Sequence, residues 1–384
     1  MPVPAVCGGA IETLITSIVK KYSKEDGFRL TIFSVYHKEA VETAKKYPDV
    51  RFVWTHTNTF WNLSKHAVFL AVRELTGKTI RVLQRHYNEI APVIQKEKFD
   101  LLIVEGGDEQ AVIDIAKGYK REQLVFHAHI HFIPKEEVVK GYGHMIGVSE
   151  FVVREYEKAC KIPVDTHVLK NAIDVDRFNK TISEKERVNF RKELGLQEDD
   201  FVVLYVGRLI QVKGILELMQ AILSIEDKHV KLLCIGSANF GKWAFSSYER
   251  KVKRLAKDNK DRIVFTGYID NKELYKYSLL ADVQCVPSLW EEAAGLVVIE
   301  AMAEGIPTIV TNSGGMIEYV NKDTTLIVDR EDIIANLKKS IFYMKEHPEL
   351  RKMMSEKAKI QSQKYDEVAY YKSFVETICK ILEW

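Results

Sequence analysis

The chain has 384 residues and a formal net charge of +2, which allows two domains of ordinary size and gives no overall argument for nucleic-acid binding. Its apolar and charged fractions, 46% and 29%, exclude a disordered or fibrous protein. No window approaches the roughly 20 apolar residues of a membrane-spanning helix, and the first residues lack the apolar core of a signal peptide. The five scattered cysteines fit free thiols in a reducing compartment. We therefore predict a cytoplasmic protein.

Short apolar runs alternate with helical patterns along the whole chain, which is typical of βα units and parallel sheets. In the first half, strands are predicted at 30–35, 51–54, 101–104, 124–126, 145–148 and 167–169. Helices are predicted between them at 11–22, 39–46, 62–97, 109–117 and 150–160. The second half repeats the alternation, with strands at 201–206, 230–235, 263–265, 283–286, 308–310 and 325–328. Its predicted helices are 214–225, 248–257, 272–280, 296–304 and 332–346.

A domain boundary is predicted near Asn171, because a strand ends there and the very polar stretch 177–200 follows. An amphipathic helix at 367–382 closes the chain and could return to the first half. The predicted organisation is two α/β domains, 1–170 and 171–365, followed by a helical segment at 366–384.

The first domain begins unusually. Only six residues precede Cys7-Gly8-Gly9, and two of them are Pro2 and Pro4. Proline is a poor strand residue because it donates no backbone hydrogen bond. The strand that usually opens a domain of this kind is therefore predicted to be missing or short.

The stretch 287–319 offers the most specific chemistry. Gly295 opens a predicted helix that is apolar on every side except at Glu300 and Glu304. A buried carboxylate is costly unless something donates hydrogen bonds to it, and ribose hydroxyls are suitable donors for Glu300. The first amides of the helix, at Gly295 and Leu296, would suit an anion. With Glu292 as a second carboxylate, this pattern indicates a sugar-nucleotide site.

Several spaced motifs in the second half resemble the retaining GT-B glycosyltransferases of family 4. They are Val206-Gly207-Arg208-Leu209 with Lys213-Gly214, Phe265-Thr266-Gly267-Tyr268, Pro287-Ser288 with Glu292 and Glu300, and Ser313-Gly314-Gly315 with Glu318. The first half is a looser match, through Gly8-Gly9, the region of His127, Val148-Ser149 and Asn171–Asp174, where Ala172 stands in place of the family's usual glycine. The resemblance implies two Rossmann-like parallel-sheet domains facing across a cleft.

The resemblance also implies an activity: a hexose is moved from a nucleotide diphosphosugar to an acceptor hydroxyl with retention of configuration, without a metal or another cofactor. Arg208 and Lys213 would stabilise the departing diphosphate, where negative charge develops. Glu292 would orient the donor sugar, Glu300 would hold the ribose, and His127 would lie near the transferred sugar. The implied contacts with the nucleotide sugar are Gly8, Gly9, Arg208, Lys213, Gly236, Tyr268, Glu292, Gly295, Leu296 and Glu300.

Several of these residues can also be explained without any ligand. A cation pair in a loop, such as Arg208 and Lys213, is usually solvated, and a glutamate in a first helical turn can be favoured by the helix dipole alone. Gly8-Gly9 would serve equally in an ordinary tight turn. Glu291, beside Glu292, is predicted to face solvent.

A histidine cluster gives a further alternative. In a strand, alternation would place His127, His129 and His131 on one face, where they could hold a metal. No carboxylate or cysteine lies close to them in the sequence, and the resemblance implies no metal. Asp174-Val175-Asp176 spells the metal motif of a different glycosyltransferase fold, but it falls in the linker. We therefore predict no metal site.

The stretch 60–98 mixes aromatic and basic residues. Such a surface could rest on anionic lipid headgroups, near a lipid-linked acceptor at the inner face of the membrane; a long helix pair packed on the sheet is the plainer interpretation. The predicted setting is the synthesis of a cell-surface polysaccharide or glycolipid. Two alternatives stay open: a phosphorylase or sugar-nucleotide epimerase of the same fold, and a non-catalytic sugar-nucleotide-binding subunit.

Overall fold

The structure is a computed structural model that describes residues 1–57, 68, 85–131, 135–237 and 247–383. It divides into two compact units. Unit 1 comprises Met1–Asn171 together with Glu367–Trp384, and unit 2 comprises Ala172–Asp366.

The strands described in unit 1 are all parallel to their neighbours. They are β1 (Thr31–Val35), β2 (Arg51–Thr55), β3 (Leu102–Val104), β4 (Leu124–Ala128), β5 (His144–Gly147) and β6 (Asp165–Val168). β1 pairs with β2, and the other four form a sheet in the order β3-β4-β5-β6. The described helices are α1 (Ala10–Lys21), α2 (Lys38–Ala44), α3 (Arg85–Glu97), α4 (Glu109–Ile115), α5 (Glu136–Gly141), α6 (Glu150–Ala159) and, at the end of the chain, α15 (Glu367–Ile381).

The first nine residues are all described, and no strand occurs among them. Instead, side chains hold this segment: the Val3 amide donates to Ser34 Oγ of β1 at 2.8 Å, and the Ala5 amide donates to Thr16 Oγ1 of α1 at 2.8 Å. In the described part of unit 1, the β1–β2 pair shares no strand with the four-stranded sheet.

The last helix of the chain packs against the first helix, within unit 1. Ser17 Oγ and Lys20 Nζ both donate to Glu367 Oε1, at 2.7 and 2.9 Å, and the Tyr371 hydroxyl donates to Asp26. The apolar face of α15 is buried, including Phe374.

Unit 2 has one parallel sheet. Its strands are β7 (Phe201–Val206), β8 (Val230–Ile235), β9 (Ile263–Gly267), β10 (Val283–Val286), β11 (Thr308–Thr311) and β12 (Thr325–Val328), in the order β12-β11-β10-β7-β8-β9. The described helices are α7 (Val175–Phe178), α8 (Glu184–Glu193), α9 (Ile215–Ser224), α10 (Ser247–Asp258), α11 (Leu274–Ser278), α12 (Leu296–Glu304), α13 (Ile333–Glu346) and α14 (Pro348–Ser362). Because helices cover both faces, the strands read as continuous apolar runs, and their side chains form the core with α9, α12 and α13.

Most predicted elements of unit 2 are confirmed, but besides the four-residue α7, which lies in the predicted linker, two longer helices were not predicted. One is α8, in a stretch that composition marked only as polar. Its sequence signal is a capping box, in which Ser183 Oγ accepts from the Glu186 amide and the Glu186 carboxylate accepts from Ser183. The other is α14, whose first helical residue is Pro348, a favoured position for proline.

In the part of the chain that the structure describes, no helix combines the length and the apolar character needed to cross a membrane. Most of the basic and aromatic stretch 60–98, including residues 60–67 and 69–84, lies outside the described residues.

Candidate functional site

Three glycines lie at the carboxyl ends of adjacent strands in unit 2: Gly207 after β7, Gly236 after β8 and Gly267 at the end of β9. The Gly236 amide donates to the Gly267 carbonyl at 2.8 Å. A Cβ atom on Gly236 would lie 1.9 Å from the Gly207 carbonyl oxygen, so the backbones approach too closely for any side chain. Glycine is therefore required at Gly236, which lies at the edge of the sheet where open parallel sheets bind ligands.

The two predicted cations, Arg208 and Lys213, lie in the loop that follows β7. Arg208 is exposed, and its carbonyl accepts a hydrogen bond from the buried Tyr205 hydroxyl at 2.9 Å. Lys213 ends a short 3₁₀ turn and is followed by Gly214 with φ +68°. A Cβ atom there would lie 1.9 Å from the Pro287 carbonyl oxygen. Gly214 therefore lets this loop pack directly against the end of β10.

Lys213 and Glu292 come together although they are 79 residues apart in the chain. Lys213 Nζ lies 2.5 Å from Glu292 Oε1, and the Ser288 hydroxyl donates to the same oxygen. The two side chains are 23% and 11% exposed, and Lys213 Nζ lies 5.5 Å from the centre of the Trp290 ring. The sequence predicted both residues as ligand contacts, but it did not predict that they touch each other or that Ser288 joins them.

The backbone around Glu292 is held by the turn that follows β11. The Glu292 amide donates to Ser313 Oγ at 3.1 Å, and the Gly315 amide donates to the Glu292 carbonyl at 2.7 Å. Ser313 Oγ in turn donates to the Trp290 carbonyl at 2.5 Å. The acidic loop and the Ser313-Gly314-Gly315 turn therefore form one hydrogen-bonded unit.

The prediction that Glu291 faces solvent is wrong. Its side chain is only 35% exposed and forms an ion pair with Arg330, while Glu291 Oε2 accepts the Gly314 amide at 2.6 Å. Arg330 follows β12 by two residues, and no spacing in the sequence connects it to Glu291. Arg330 and Lys213 thus each form an ion pair with one of the two adjacent glutamates of the acidic loop.

The helix predicted after Gly295 is confirmed with its bounds, Leu296–Glu304 (α12). A Cβ atom on Gly295 would lie 2.8 Å from Met316 Cγ, so close packing requires glycine there. The first amides of α12 have no carbonyl partner within the helix, as at every helix start. Gly295 and Leu296 thus lie where an anion would find free N–H donors.

Two carboxyl groups on α12 are protonated more readily than usual. Burial raises the pKa of Glu300 to about 7, against the opposing effect of Arg177. Burial also raises the pKa of Glu304 to about 8; the Ser278 hydroxyl opposes this shift and Glu300 adds to it. A ligand that donates hydrogen bonds to Glu300 would favour its ionised form. Tyr268, the remaining predicted contact of this unit, is exposed beside Gly267.

In unit 1, Gly8 and Gly9 immediately precede α1. Their φ angles, +79° and +102°, lie in the region that favours glycine, and Gly9 is the residue that caps the helix. A Cβ atom on Gly9 would lie 2.2 Å from Glu12 Oε2. The side chain of Glu12, in the first turn of α1, therefore packs directly against Gly9.

Of the three predicted histidines, two come together. His127 lies in β4 and is 1% exposed, and its Nδ1 is 2.8 Å from Glu105 Oε2. His129 Nε2 lies 2.8 Å from the same oxygen. His131 instead contacts the Phe151 ring, with centres 5.0 Å apart. The prediction of one shared strand face is wrong because β4 ends at Ala128.

Sequence analysis also missed Glu105, which directly follows β3. No carboxylate was expected near the histidines, but Glu105 supplies one. Among the described residues, Glu105, His127 and His129 form one of three groups whose ligand atoms lie within 4.8 Å of one another. The others are His144 with Asp165 and His167, and Asp199 with Asp200 and His229. Neither Asp174 nor Asp176 belongs to such a group; Asp174 Oδ1 accepts the Arg177 amide at 3.2 Å and caps α7.

Residues 186–361, which lie within unit 2, match the model of the family described as glycosyl transferases group 1. YtcC of Bacillus subtilis, whose name records a provisional glycosyltransferase assignment, is 26% identical over 94% of this chain and 84% of its own length. Two further relatives are each 34% identical: the uncharacterized glycosyltransferase MJ1607 of Methanocaldococcus jannaschii over 47% of this chain, and TuaC of Bacillus subtilis over 49%. The chain spans 45% of the length of each. These matches support a relationship between this chain and the group 1 glycosyltransferase family.

The fold is shared with solved glycosyltransferases. A crystal structure of Anabaena Alr3699/HepE in complex with UDP-glucose superposes with a TM-score of 0.70 at 18% identity, covering 98% of this chain and 97% of that protein. The chain therefore has the GT-B fold, with two Rossmann-like units of parallel sheet.

Proposed function

We propose that this protein transfers a hexose from a nucleotide diphosphosugar to an acceptor hydroxyl with retention of the anomeric configuration. The observation that carries the proposal is the contact between Lys213, Glu292 and Ser288 at the carboxyl ends of β7 and β10. A cation and a fixed carboxylate at this edge suit a ligand that presents both phosphate oxygens and sugar hydroxyls. The match of residues 186–361 to the group 1 glycosyltransferases supports the same activity.

The cations would act on the leaving group. As the bond to the sugar breaks, negative charge develops on the diphosphate, and a preorganised cation stabilises that charge most strongly when water is largely excluded. Lys213 is three-quarters shielded and held by Glu292, so little reorganisation is needed before reaction. Arg208 is exposed in the same loop and adds a planar pair of N–H donors that matches phosphate oxygens.

The carboxylates would act on hydroxyls. Glu292, fixed through its side chain and its backbone, would accept hydrogen bonds from the donor sugar. Glu300 would accept them from the ribose, whose two hydroxyls would donate to its partly buried carboxylate and favour the ionised form. Gly295 and Leu296 would complete the phosphate contacts, and Gly236 and Tyr268 would lie on the nucleotide side.

The donor is proposed to be a uridine diphosphosugar, because the similar Anabaena protein was crystallised with UDP-glucose. The name of the relative TuaC refers to teichuronic acid biosynthesis, which supports an acceptor in cell-surface polysaccharide or glycolipid synthesis. In unit 1, Gly8, Gly9 and His127 are proposed to contact the reacting sugars. Retention is proposed to need no enzymatic nucleophile, because the leaving phosphate assists the acceptor, and no metal, because Arg208 and Lys213 supply the positive charge.

The experiment begins with the purified full-length protein and a panel of uridine, guanosine and adenosine diphosphosugars. A ligand that binds only the folded state raises its unfolding temperature, so the stabilising donor is identified first. That donor is then incubated with monosaccharide and lipid-linked acceptors, and the anomeric configuration of the product is read from its NMR coupling constants. Retention is expected.

Glu292→Gln should keep the unfolding temperature and lose nearly all transfer, whereas Glu226→Gln, an exposed control in the same unit, should behave as wild type. Full activity in Glu292→Gln would refute the assignment. Transfer to inorganic phosphate would indicate a phosphorylase, and conversion of the donor without any acceptor would indicate an epimerase. Donor binding without turnover over hours would indicate a non-catalytic binding subunit.

A further inference from the structure

Glu105, His127 and His129 form a compact cluster at the carboxyl ends of two adjacent strands of unit 1. Val104 of β3 is paired with Phe126 of β4, so the next residues, Glu105 and His127, lie side by side. The three side chains are 19%, 1% and 6% exposed. The cluster is thus polar, nearly sealed from water and located at the edge of the sheet where open parallel sheets bind ligands.

The carboxylate of Glu105 is the shared acceptor of this cluster. Burial opposes its ionisation, but His127 and His129 outweigh that effect and hold the pKa of Glu105 well below its usual range. An ionised carboxylate can only accept hydrogen bonds. His129 Nε2 is hydrogen-bonded to Glu105 Oε2 at 2.8 Å, and His127 Nδ1 lies 2.8 Å from the same oxygen. His129 Nε2 must therefore carry a proton, and the close approach of His127 Nδ1 to the same ionised oxygen favours a proton there as well.

The remaining nitrogens are consequently acceptors. Burial and the neighbouring His127 lower the pKa of His129, which favours the neutral imidazole, with its proton on Nε2 beside Glu105 and a lone pair on Nδ1. A neutral His127 with its proton on Nδ1 has its lone pair on Nε2. His129 Nδ1 and both ring nitrogens of His127, all buried, have no hydrogen-bond partner among the described residues, although His127 Nδ1 lies 2.8 Å from Glu105 Oε2. A buried acceptor without a donor is unfavourable, so His129 Nδ1 and His127 Nε2 are suited to hydroxyl groups.

We propose that Glu105 is a positioning residue: it fixes His127 and His129 in the tautomers whose free nitrogens, Nε2 and Nδ1, accept hydrogen bonds from adjacent hydroxyls of a sugar. The ligand class rests on the proposed function, whereas the two tautomers do not. The 2.8 Å separations favour this arrangement over a bound metal. The His129 contact is a hydrogen bond of ordinary length, and both separations are shorter than the roughly 3.3 Å expected between two ligand atoms of one tetrahedral zinc ion with bond lengths of about 2.0–2.1 Å.

The decisive experiment measures the tautomers directly. Full-length protein labelled with ¹⁵N-histidine is studied by long-range ¹H–¹⁵N correlation, with His127→Gln and His129→Gln used to assign the two signals. We expect His127 protonated at Nδ1 and His129 at Nε2. In Glu105→Gln, the neutral amide no longer selects these forms, so both signals should move toward mixed or opposite tautomers. Glu122→Gln, at an exposed glutamate of the same unit, should change neither signal.

A second measurement connects the tautomers to ligand binding. In Glu105→Gln, kcat/KM for transfer should fall about 10- to 100-fold, the usual effect of removing a carboxylate that orients a functional histidine. Glu105→Asp, which keeps the charge, should recover part of the loss if the variant protein unfolds at a similar temperature. Unchanged tautomers in Glu105→Gln would overturn the proposal, and so would unchanged kinetics.

Two controls separate the possible failures. If the wild-type protein transfers no sugar but shows the expected tautomers, the proposed function fails and the positioning role of Glu105 is supported by spectroscopy alone. Calorimetric titration with Zn²⁺ tests the competing occupant. Tight stoichiometric binding that is abolished by Glu105→Gln and by His129→Gln would replace this proposal with a metal site; weak binding that is indifferent to both variants would support the hydrogen-bonded arrangement.

Discussion

Both units carry a charged cluster at the carboxyl ends of their strands, but the two clusters are built from different groups. In unit 2, an ammonium group and a carboxylate meet at 2.5 Å and remain partly open to solvent. In unit 1, one carboxylate serves two imidazoles, and all three side chains are nearly buried. A lysine at an accessible edge suits an anion, whereas buried imidazole nitrogens that accept hydrogen bonds would suit hydroxyls, as proposed above. Parallel sheets of different strand order therefore carry groups suited to a charged ligand in one unit and to neutral hydroxyls in the other.

The largest effect is expected where the cation of unit 2 is removed. Lys213→Ala should lower kcat/KM by about 10²- to 10³-fold, because a preorganised group facing the developing charge is lost. The measurement is steady-state transfer with the stabilising donor, and Lys272→Ala, at an exposed lysine of the same unit, is the matched control. A loss below threefold would mean that the charged cluster of unit 2 does not serve the leaving group.

The close packing of Gly214 against Pro287 should be nearly as sensitive to substitution. Gly214→Ala would place a Cβ atom 1.9 Å from the Pro287 carbonyl oxygen, and we expect a loss of about 3 kcal/mol in the free energy of unfolding, from the overlap and the positive φ together. Gly195 has a similar φ of +72°, and a Cβ atom there would meet nothing within 4 Å, so Gly195→Ala should cost only about 1 kcal/mol. Equal losses in urea unfolding would show that backbone strain alone, and not the approach of the loop to β10, makes Gly214 necessary.

Two carboxyl groups of α12, that of the partly buried Glu300 and that of the buried Glu304, should make the stability of unit 2 depend on pH. Their pKa values in the folded protein, about 7 for Glu300 and about 8 for Glu304, lie above the ordinary value of an unfolded chain. The folded state then binds more protons between about pH 4.5 and 8, so the free energy of unfolding should fall as pH rises through this range.

Glu304→Gln removes the larger of these shifts. It should flatten the decline and raise stability at pH 8.5 by on the order of 2 kcal/mol, measured by thermal and urea unfolding across pH. Glu356→Gln, at an exposed glutamate of the same unit, should leave the profile unchanged. A steeper decline in Glu304→Gln would contradict the expected sign.

The smallest effect is expected when the ion pair between Glu291 and Arg330 is weakened. Glu291→Gln weakens the ion pair with Arg330 and the acceptor for the Gly314 amide, but it leaves Glu292, Ser288 and Lys213 unchanged. We expect a decrease of about 3- to 10-fold in kcat, with little change in stability, because partly exposed ion pairs contribute about 1 kcal/mol or less. Glu331→Gln, exposed in the same unit, is the control. A loss as large as that of Lys213→Ala would indicate direct ligand contact by Glu291.

Regular periodicity made the fold largely predictable. The strands 201–206, 230–235, 283–286 and 325–328 and the helix 296–304 have the predicted bounds, because long apolar runs and a helix bounded by glycine leave little choice of structure. The strand bounds in unit 1 were less accurate. β4 extends to Ala128, and β6 begins at Asp165. The ends of these strands depend on contacts with neighbouring strands and not only on the sequence pattern of each strand.

The candidate site was predictable only residue by residue. Spacing singled out Lys213, Glu292 and Glu300, but their contacts depend on which strands become neighbours. β7 and β10 are adjacent in the sheet, although two strands lie between them in sequence, and this adjacency brings Lys213 to Glu292. Glu105 and Arg330 carried no recognisable pattern, since each gains its partner from a different strand of its sheet.

The sequence by itself determined the parallel α/β class, the buried helix with its two carboxyls and the residue types available for a nucleotide sugar, because these follow from local periodicity and composition. Only the tertiary structure decided that Lys213 pairs with Glu292, that Glu291 is tied to Arg330 and that Glu105 joins two of the three histidines. Those contacts depend on strand order and register, which are set by the packing of whole sheets and helices, and no short stretch of sequence contains that information.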